Sequence, residues 1–465
     1  MSAPLLWVLL PLVVAAVLLL AGTTRRAGRW GAGVALALAL LAWKVPIDQP
    51  VRLIGDWGFR LAPTMRVLGR QLVLTDASRP MLAWLFAILA LWLAVAATAR
   101  MEPAYVGLAM AFVTTLVAAL TIRPFLYAAL LIETAALIAV PLLAPPGTRA
   151  GRGLLRFLTF QTLGMLFILF TGWMLAGTET GLPSSTLALR GGVLLGIGFV
   201  LLLGVFPFHS WMPMMTEEIH PYAAALVLTS VITVVGAFGL GFLEQYTWLR
   251  ESPATYHWLQ MMGAVMVGVG GVLAAFQRDA GRVLGYAVLM DAGLALMALG
   301  MGLPDGAVVF FALWPVRAVA FVLWALALSG LGRRRGGLAY KTLQGAGRTY
   351  PWLMTGAVLA PLVLAGMPWF GGFLTRLKIW ESVIPSWPLL AAAVSGAAGL
   401  VAAAFRLLGV LLAGEQATSW RAKEMMDEKI WVTVLLLALL LLGLFPQWWW
   451  HYAAAALQRF PHLGG

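Results

Sequence analysis

The chain has 465 residues, of which 62% are hydrophobic and 11% charged, and its mean hydropathy is +0.92. These values exclude a soluble globular protein, in which about half of the residues are apolar and about a quarter are charged, and they exclude a disordered chain. Lys and Arg number 31 against 18 Asp and Glu, a net charge of +13. Because the arginines lie between apolar runs, this charge indicates a membrane protein rather than a nucleic-acid-binding one. The chain has no cysteine, which excludes disulfides, cysteine-bound iron–sulfur clusters and thiolate nucleophiles.

About fourteen apolar runs are long enough to cross the ~30 Å hydrocarbon core of a bilayer as helices, which predicts an all-α polytopic membrane protein. The runs cover residues 4–21, 30–44, 79–98, 103–121, 124–144, 153–175, 190–209, 221–243, 256–276, 281–301, 305–331, 350–380, 385–413 and 429–448. The first run has no basic segment before it and no small-residue cleavage site after it, so we expect a retained span rather than a secretion signal. Residues 45–78 alternate between apolar and polar, which predicts an extramembrane hairpin.

Basic residues are concentrated in the loops that follow odd-numbered spans, which predicts that these loops are cytoplasmic and that both termini lie on the opposite side. The basic residues near these loops are Arg25, Arg26, Arg29, Arg100, Arg149, Arg152, Arg156, Arg278, Arg282, Arg333, Arg334, Arg335, Lys341, Arg348, Arg421, Lys423 and Lys429. Outside residues 45–78, the other loops hold only Arg123, Arg190 and Arg250. The predicted location is the cytoplasmic (inner) membrane.

Ionisable residues in the middle of a span are functional candidates, because charge is costly in hydrocarbon. Glu133, Asp291 and Arg317 lie about 14 to 18 Å along their helices from a charged residue at the start. Arg376 follows a pair of glycines inside the twelfth span, and Arg406 is a weaker fifth candidate. The alternative is that these charges only pair across helices and hold the bundle together. An arginine does not release its proton at ordinary pH, so only Glu133 and Asp291 are candidate proton carriers.

Two spans are interrupted by proline and glycine. The seventh contains Phe206-Pro207-Phe208-His209-Ser210-Trp211, and the twelfth contains Gly366-Met367-Pro368-Trp369-Phe370-Gly371-Gly372. Broken helices at matching places in two halves are typical of inverted-repeat transporters with ion sites at mid-depth. His209 is either part of such a path or an ordinary interfacial histidine. Gly268-Val269-Gly270-Gly271 follows no strand, so it predicts a close-packed helix face rather than a nucleotide site.

Several motifs together resemble the antiporter-like membrane subunits of NADH-quinone oxidoreductase (complex I), Mrp cation/proton antiporters and membrane-bound hydrogenases. Phe206–Pro213, followed by Pro221 and an alanine-rich helix, resembles the family's signature between the seventh and eighth helices. Arg278–Tyr286 with Asp291-Ala292-Gly293 is similar to its tenth helix. Ala365–Phe373 is similar to the break in its twelfth helix, and Asp76-Ala77-Ser78 to the residues before its third. The motifs occur in the family's order between about residues 50 and 410.

The resemblance implies two inverted five-helix halves, each with a half-channel, joined by a hydrated polar axis. It places Glu133 at the family's fifth-helix carboxylate, Arg317 at its eleventh-helix lysine and Arg376 at its twelfth-helix lysine. The sequence departs from the family where Leu202 stands in place of the seventh-helix lysine, and the eighth span, 222–241, contains no lysine. We therefore expect that the usual lysine relay is broken.

The favoured function is an antiporter-like subunit of a proton-translocating, complex I-related assembly, whose partners are other membrane-arm subunits, lipid, and H⁺ or Na⁺. We expect no redox cofactor, metal or nucleic acid. The alternatives are a non-pumping structural subunit, a free-standing cation/proton antiporter and, more remotely, an enzyme with metal bound at Thr216-Glu217-Glu218-Ile219-His220. The expected domains are residues 1–101, 102–244 (first repeat), 245–414 (second repeat) and 415–465.

Overall fold

Helices form at each of the fourteen predicted apolar ranges in the computed structural model, which describes residues 2–20, 27–54, 57–67, 69–147, 150–175, 185–413, 420 and 422–464. The first ten helices are α1 Leu10–Leu20 (preceded by a π-helical turn, Leu5–Leu9), α2 Ala27–Lys44, α3 Arg79–Ala96, α4 Pro103–Thr121, α5 Ala128–Leu143, α6 Arg152–Met174, α7 Ser185–Leu202, α8 Trp211–Glu218, α9 Pro221–Gln245 and α10 Thr247–Arg250. The remaining ten are α11 Pro253–Phe276, α12 Ala280–Gly300, α13 Asp305–Arg335, α14 Tyr340–Leu343, α15 Ala346–Thr349, α16 Pro351–Ala365, α17 Phe373–Val383, α18 Trp387–Leu412, α19 Met426–Leu444 and α20 Gln447–Leu457.

By length and composition, nine of the described helices can cross a membrane, or ten if the bent pair α19 and α20 counts as one span. The nine are α3, α4, α5, α6, α9, α11, α12, α13 and α18. The chain is therefore a multi-pass integral membrane protein. Arg25, Arg26, Arg149 and Arg421, which contribute to the predicted orientation, lie outside the described residues.

Residues 45–78 form two hairpins rather than the single one expected. Strand β1 (Pro50–Ile54) pairs with β2 (Trp57–Arg60), and β3 (Thr64–Val67) pairs with β4 (Arg70–Val73). Strand β4 also pairs with β5 (Ile122–Arg123), which follows α4. Pro63 lies between β2 and β3, and a proline has no N–H to continue a ladder. Each alternating stretch therefore pairs with its sequence neighbour.

Two successive sets of helices share one pattern, in which the fourth helix is broken. The first set is α4, α5, α6, the pair α7 and α8, and α9; the second is α11, α12, α13, the pair α16 and α17, and α18. Residues 203–210 separate α7 from α8 and include a 3-10 turn, Phe208–Ser210. Residues 366–372 separate α16 from α17. Both predicted breaks are confirmed.

The centre of the bundle consists of α9, α12 and α13. In the apolar stretch of each of these helices, 83%, 94% and 89% of the residues, respectively, are buried. Helix α11 packs on α12 through one side and on α18 through another. A Cβ atom at Gly271 would overlap the Gly396 carbonyl of α18, and one at Gly270 would lie 2.8 Å from the Met290 nitrogen of α12. The predicted close-packed glycine face is therefore confirmed, since only glycine lets these backbones approach so closely.

The C-terminal helices are attached to this centre at both ends. Glu428, at the start of α19, is fully buried and forms ion pairs with Arg334 at 2.6 Å and Arg333 at 3.0 Å, both at the end of α13. Helix α20 bends away from α19 by 79°. The tail after α20 returns to the first set of helices: Arg459 donates to the Leu120 carbonyl, and His462 Nδ1 lies 2.5 Å from Glu244 Oε1.

Candidate functional site

Asp291 and Arg317 form a buried ion pair at the centre of the bundle. Their side chains are 3% and 2% exposed, and Asp291 Oδ2 contacts Arg317 Nε. Arg317 Nη1 also donates a hydrogen bond of 3.0 Å to Thr233 Oγ1 of α9. The pair lies in the middle of α12 and α13, so the structure brings together two of the predicted buried charges. The role of Thr233 as a partner of Arg317 cannot be recognised from the sequence, because threonines are common in membrane helices.

Arg376 lies beside this pair, on the first turn of α17. It is 1% exposed and donates a hydrogen bond of 3.2 Å from Nη1 to the Gly372 carbonyl. Helix α17 packs against both α12 and α13, the helices that carry Asp291 and Arg317. Asp291, Arg317 and Arg376 form what we call the central charge cluster.

The break between α16 and α17 is what places Arg376 there. Gly366 and Gly372 have φ values of +97° and +95°, and Trp369 has +75°. A Cβ atom at Gly372 would lie 3.0 Å from Val316 Cγ1, next to Arg317 on α13. Positive φ and this close approach both require glycine at position 372. The broken twelfth span thus carries its arginine into the interior.

Glu133 forms a separate site between α5 and α6. Thr162 Oγ1 donates a hydrogen bond of 2.6 Å to Glu133 Oε1, while the buried Oε2 has no hydrogen-bond partner among the described residues. Within the described ranges, Glu133 takes part in no ion pair and in no hydrogen bond to the central charge cluster. Leu202 is buried, and Gln161 Nε2 donates a hydrogen bond of 3.0 Å to its carbonyl. The sequence gives no indication of Thr162 or Gln161, because each is an uncharged polar residue within an apolar run.

His209 lies in the break after α7 and faces α12. Its ring stacks on Phe206 at 5.4 Å and lies 6.3 Å from the ring of Tyr286. Its buried Nδ1 has no hydrogen-bond partner among the described residues. Tyr286 is five residues before Asp291 on the same helix, so His209 approaches the helix that carries the central charge cluster without joining the cluster.

Arg406 is not a buried mid-membrane charge, and this prediction is wrong. The side chain is exposed, and its guanidinium carbon lies 5.9 Å from the ring centroid of Tyr340. It is six residues before Leu412, where α18 ends. An arginine so close to a helix end reaches the interface with its long side chain.

The loop considered for a metal has its three side chains engaged separately. Glu217 pairs with Arg282 at 2.6 Å, and Glu218 accepts a 2.8 Å hydrogen bond from the Gly153 amide. His220 accepts a hydrogen bond from the Tyr222 amide and so caps α9. Burial, together with the charge of Arg333, lowers the pKa of His220 to about 4, so this imidazole is neutral at neutral pH.

Comparison with known proteins places this architecture among membrane subunits of respiratory enzymes and antiporters. Residues 153–401 match a family model described as "NADH:quinone oxidoreductase/Mrp antiporter, TM". NADH-quinone oxidoreductase subunit N of Rhodopseudomonas palustris is 31% identical over 235 residues, 49% of this chain and 48% of that protein. Matches to the subunit N relatives span about half the length of those proteins.

Longer matches cover nearly the whole chain. NADH-quinone oxidoreductase subunit 13 of Thermus thermophilus is 28% identical over 460 residues, 94% of each chain. A chain in the structure of respiratory complex I from Thermus thermophilus with bound NADH superposes with a TM-score of 0.77 over 99% of both chains, at 23% identity. The two chains therefore share one fold from end to end.

Proposed function

Because the chain belongs to the membrane-subunit family shared by NADH:quinone oxidoreductases and Mrp antiporters, we propose that it is a proton-translocating, antiporter-like membrane-arm subunit of a complex I-related NADH-quinone oxidoreductase. The names of its relatives, subunit N and subunit 13 of NADH-quinone oxidoreductases, support this assignment. Its proposed partners are the other membrane-arm subunits of such a complex. Residues 102–244 and 245–414 would be the two inverted halves, since five crossings, an odd number, reverse the direction of the second half.

The observation that carries the proposal is the central charge cluster. Asp291, Arg317 and Arg376 are each at most 3% exposed and lie on the most buried helices or at a helix break. Charged groups are retained at this depth where an ion passes, and broken helices supply the backbone groups that line such a site. A bundle held together by apolar packing alone has no need of them.

The proposed proton carriers are Glu133 and Asp291. The guanidinium groups of Arg317 and Arg376 stay charged at any ordinary pH, so they position a carboxylate but do not pass a proton on. Leu202 and the lysine-free α9 leave no lysine at two of the family's relay positions. Transfer in this chain therefore depends on carboxylates, hydroxyls such as that of Thr233, and water.

A second candidate function is a structural subunit that does not pump. The direct contact of Asp291 with Arg317 favours it, because a buried ion pair of good geometry can be a static feature of a fold. A free-standing cation/proton antiporter is the third candidate, favoured by the Mrp proteins in the family description. Exchange of Na⁺ for H⁺ by the purified chain alone in liposomes would support the free antiporter and contradict the subunit assignment.

Replacing Glu133 with glutamine tests proton carriage directly. The variant keeps the size of the side chain and can still accept the hydrogen bond from Thr162, but it cannot exchange a proton. We expect proton uptake into membrane vesicles, driven by NADH oxidation in the assembled complex, to fall by about tenfold or more. Glu251→Gln, an exposed change between α10 and α11, is the matched control and should leave uptake unchanged. Intact assembly with undiminished uptake in Glu133→Gln would instead favour the structural subunit.

We also propose that the protein resides in the cytoplasmic membrane with both termini on its outer side, on the basis of the positive-inside rule. The natural chain has no cysteine, so a single introduced cysteine is the only one present. In right-side-out vesicles, Glu251→Cys should react with a membrane-impermeant maleimide, whereas Arg278→Cys should react only after the membrane is opened. Both positions are exposed. The reverse labelling pattern would contradict the orientation.

A further inference from the structure

The central charge cluster carries a net positive charge that nothing described around it neutralises. Asp291 contributes one negative charge, and Arg317 and Arg376 contribute two positive charges that no ordinary pH removes. Among the described residues, Arg317 forms an ion pair with Asp291, and Arg376 forms none. A buried charge without a counter-charge is strongly unfavourable. The cluster therefore favours one additional negative charge nearby.

A small cavity adjoins Arg317 at the contact of α13 with α3, α4 and α9. Its volume is about 20 Å³, which is room for about one water-sized particle. Its polar lining consists of Thr229, Ser230, Thr233, Trp314 and Arg317. The other lining residues are apolar side chains of α3, α4, α9 and α13.

The cavity offers hydrogen-bond donors and no carboxylate. Arg317 Nη2 and Trp314 Nε1 are buried and have no hydrogen-bond partner among the described residues. The two side chains are three residues apart on α13, so they lie on one face of the helix. Ser230 adds a hydroxyl to the lining. Within the described part of the chain, Arg317 Nη2 and Trp314 Nε1 are therefore two free N–H donors for a ligand bound in the cavity.

The two threonines supply no further donor, because their protons are already bound. Thr233 Oγ1 donates to the Thr229 carbonyl and Thr229 Oγ1 to the Ala225 carbonyl, both at 2.7 Å. Thr233 Oγ1 also accepts a hydrogen bond from Arg317 Nη1. The site therefore combines N–H donors, excess positive charge and apolar walls. This combination favours the binding of a weakly hydrated anion.

We propose that this cavity binds a small monovalent anion of the halide class, chloride in the first instance, which neutralises the excess charge of the central charge cluster. The anion accepts hydrogen bonds from Arg317 Nη2, Trp314 Nε1 and the Ser230 hydroxyl. This inference does not depend on whether the chain pumps protons, since it rests on the charge count and the donors alone.

The first test compares anions at equal ionic strength. The purified full chain in detergent is heated in sodium chloride, sodium bromide or sodium gluconate, and chloride and bromide should raise Tm in a saturable manner, since gluconate is too large for the cavity. Equal Tm values in the three salts would overturn the proposal. Crystals soaked in bromide should show an anomalous scattering peak in the cavity. Density there that does not exchange with bromide would identify the occupant as water and would also overturn it.

Trp314→Phe removes one donor and retains the ring. We expect the chloride concentration that gives half of the maximal Tm increase to rise by about tenfold. A change of this size is expected for the loss of one hydrogen bond to a charged group. The matched control is Trp324→Phe, because Trp324 is on the same helix, is fully buried and has an unpartnered Nε1 among the described residues, yet does not line the cavity. Ser230→Ala is a second variant should Trp314→Phe fail to fold. Unchanged chloride dependence in the cavity variants would overturn the assignment of the site.

Discussion

Replacing Asp291 with asparagine is expected to lower the free energy of unfolding by about 3–5 kcal/mol, the usual cost of removing one partner from a buried ion pair. Asparagine has nearly the same shape, so the change removes charge rather than volume. It leaves Arg317 and Arg376 buried without the carboxylate that pairs with Arg317. Reversible unfolding of the purified chain in detergent, followed by tryptophan fluorescence against denaturant, measures the effect.

The matched comparison is Arg376→Met. It removes a fully buried charge from the same cluster but leaves one carboxylate and one guanidinium, Asp291 and Arg317, as a neutral pair. We therefore expect a loss of less than about half that of Asp291→Asn, because a hydrophobic side chain of similar length replaces the arginine. Equal losses in the two variants would show that Asp291 does not balance the positive charge of Arg317 and Arg376.

Replacing Glu428 with leucine is expected to cost about 3 kcal/mol. Glu428 is fully buried and accepts three hydrogen bonds of 2.6 to 3.0 Å from Arg333 and Arg334. The arginine side chains are 35% and 14% exposed, so they can regain water, which places the effect at the low end of the range for buried pairs. Thermal unfolding of the full chain in detergent measures the loss.

Glu381→Gln is the control for this variant, because Glu381 is exposed near the end of α17. It should change the free energy of unfolding by less than about 0.5 kcal/mol. A similar small change for Glu428→Leu would mean that the buried carboxylate does not hold α19 against α13.

The helices, the two breaks and most buried charges could be predicted because each is a property of a local stretch of sequence. Apolar runs mark the spans, proline and glycine mark the breaks, and a charge far from both ends of a run marks a buried group. Arg406 was misplaced for the same reason. Its position depends on where α18 ends, at Leu412, and a six-residue distance from that end is short enough for the side chain to reach the interface.

The partners of the buried charges could not be predicted, because they come from helices distant in sequence. Asp291 meets Arg317 across α12 and α13, while Thr233 belongs to α9 and looks like any threonine in a membrane helix. Glu133 has the hydroxyl of Thr162 as its partner rather than a cation. Likewise, the donors of Trp314 and Ser230 become visible only when three-dimensional packing places them around one cavity.

The returning C-terminal tail has a mechanical consequence. Arg459 holds the carbonyl at the end of α4 and His462 holds Glu244 at the end of α9, while the neighbouring Phe460 stacks on Phe311 of α13. The tail thus contacts both sets of helices at one edge, and these contacts oppose a rotation of one set relative to the other. Conformational change within this frame is therefore expected to involve side-chain rotations rather than a rigid-body movement of one set of helices.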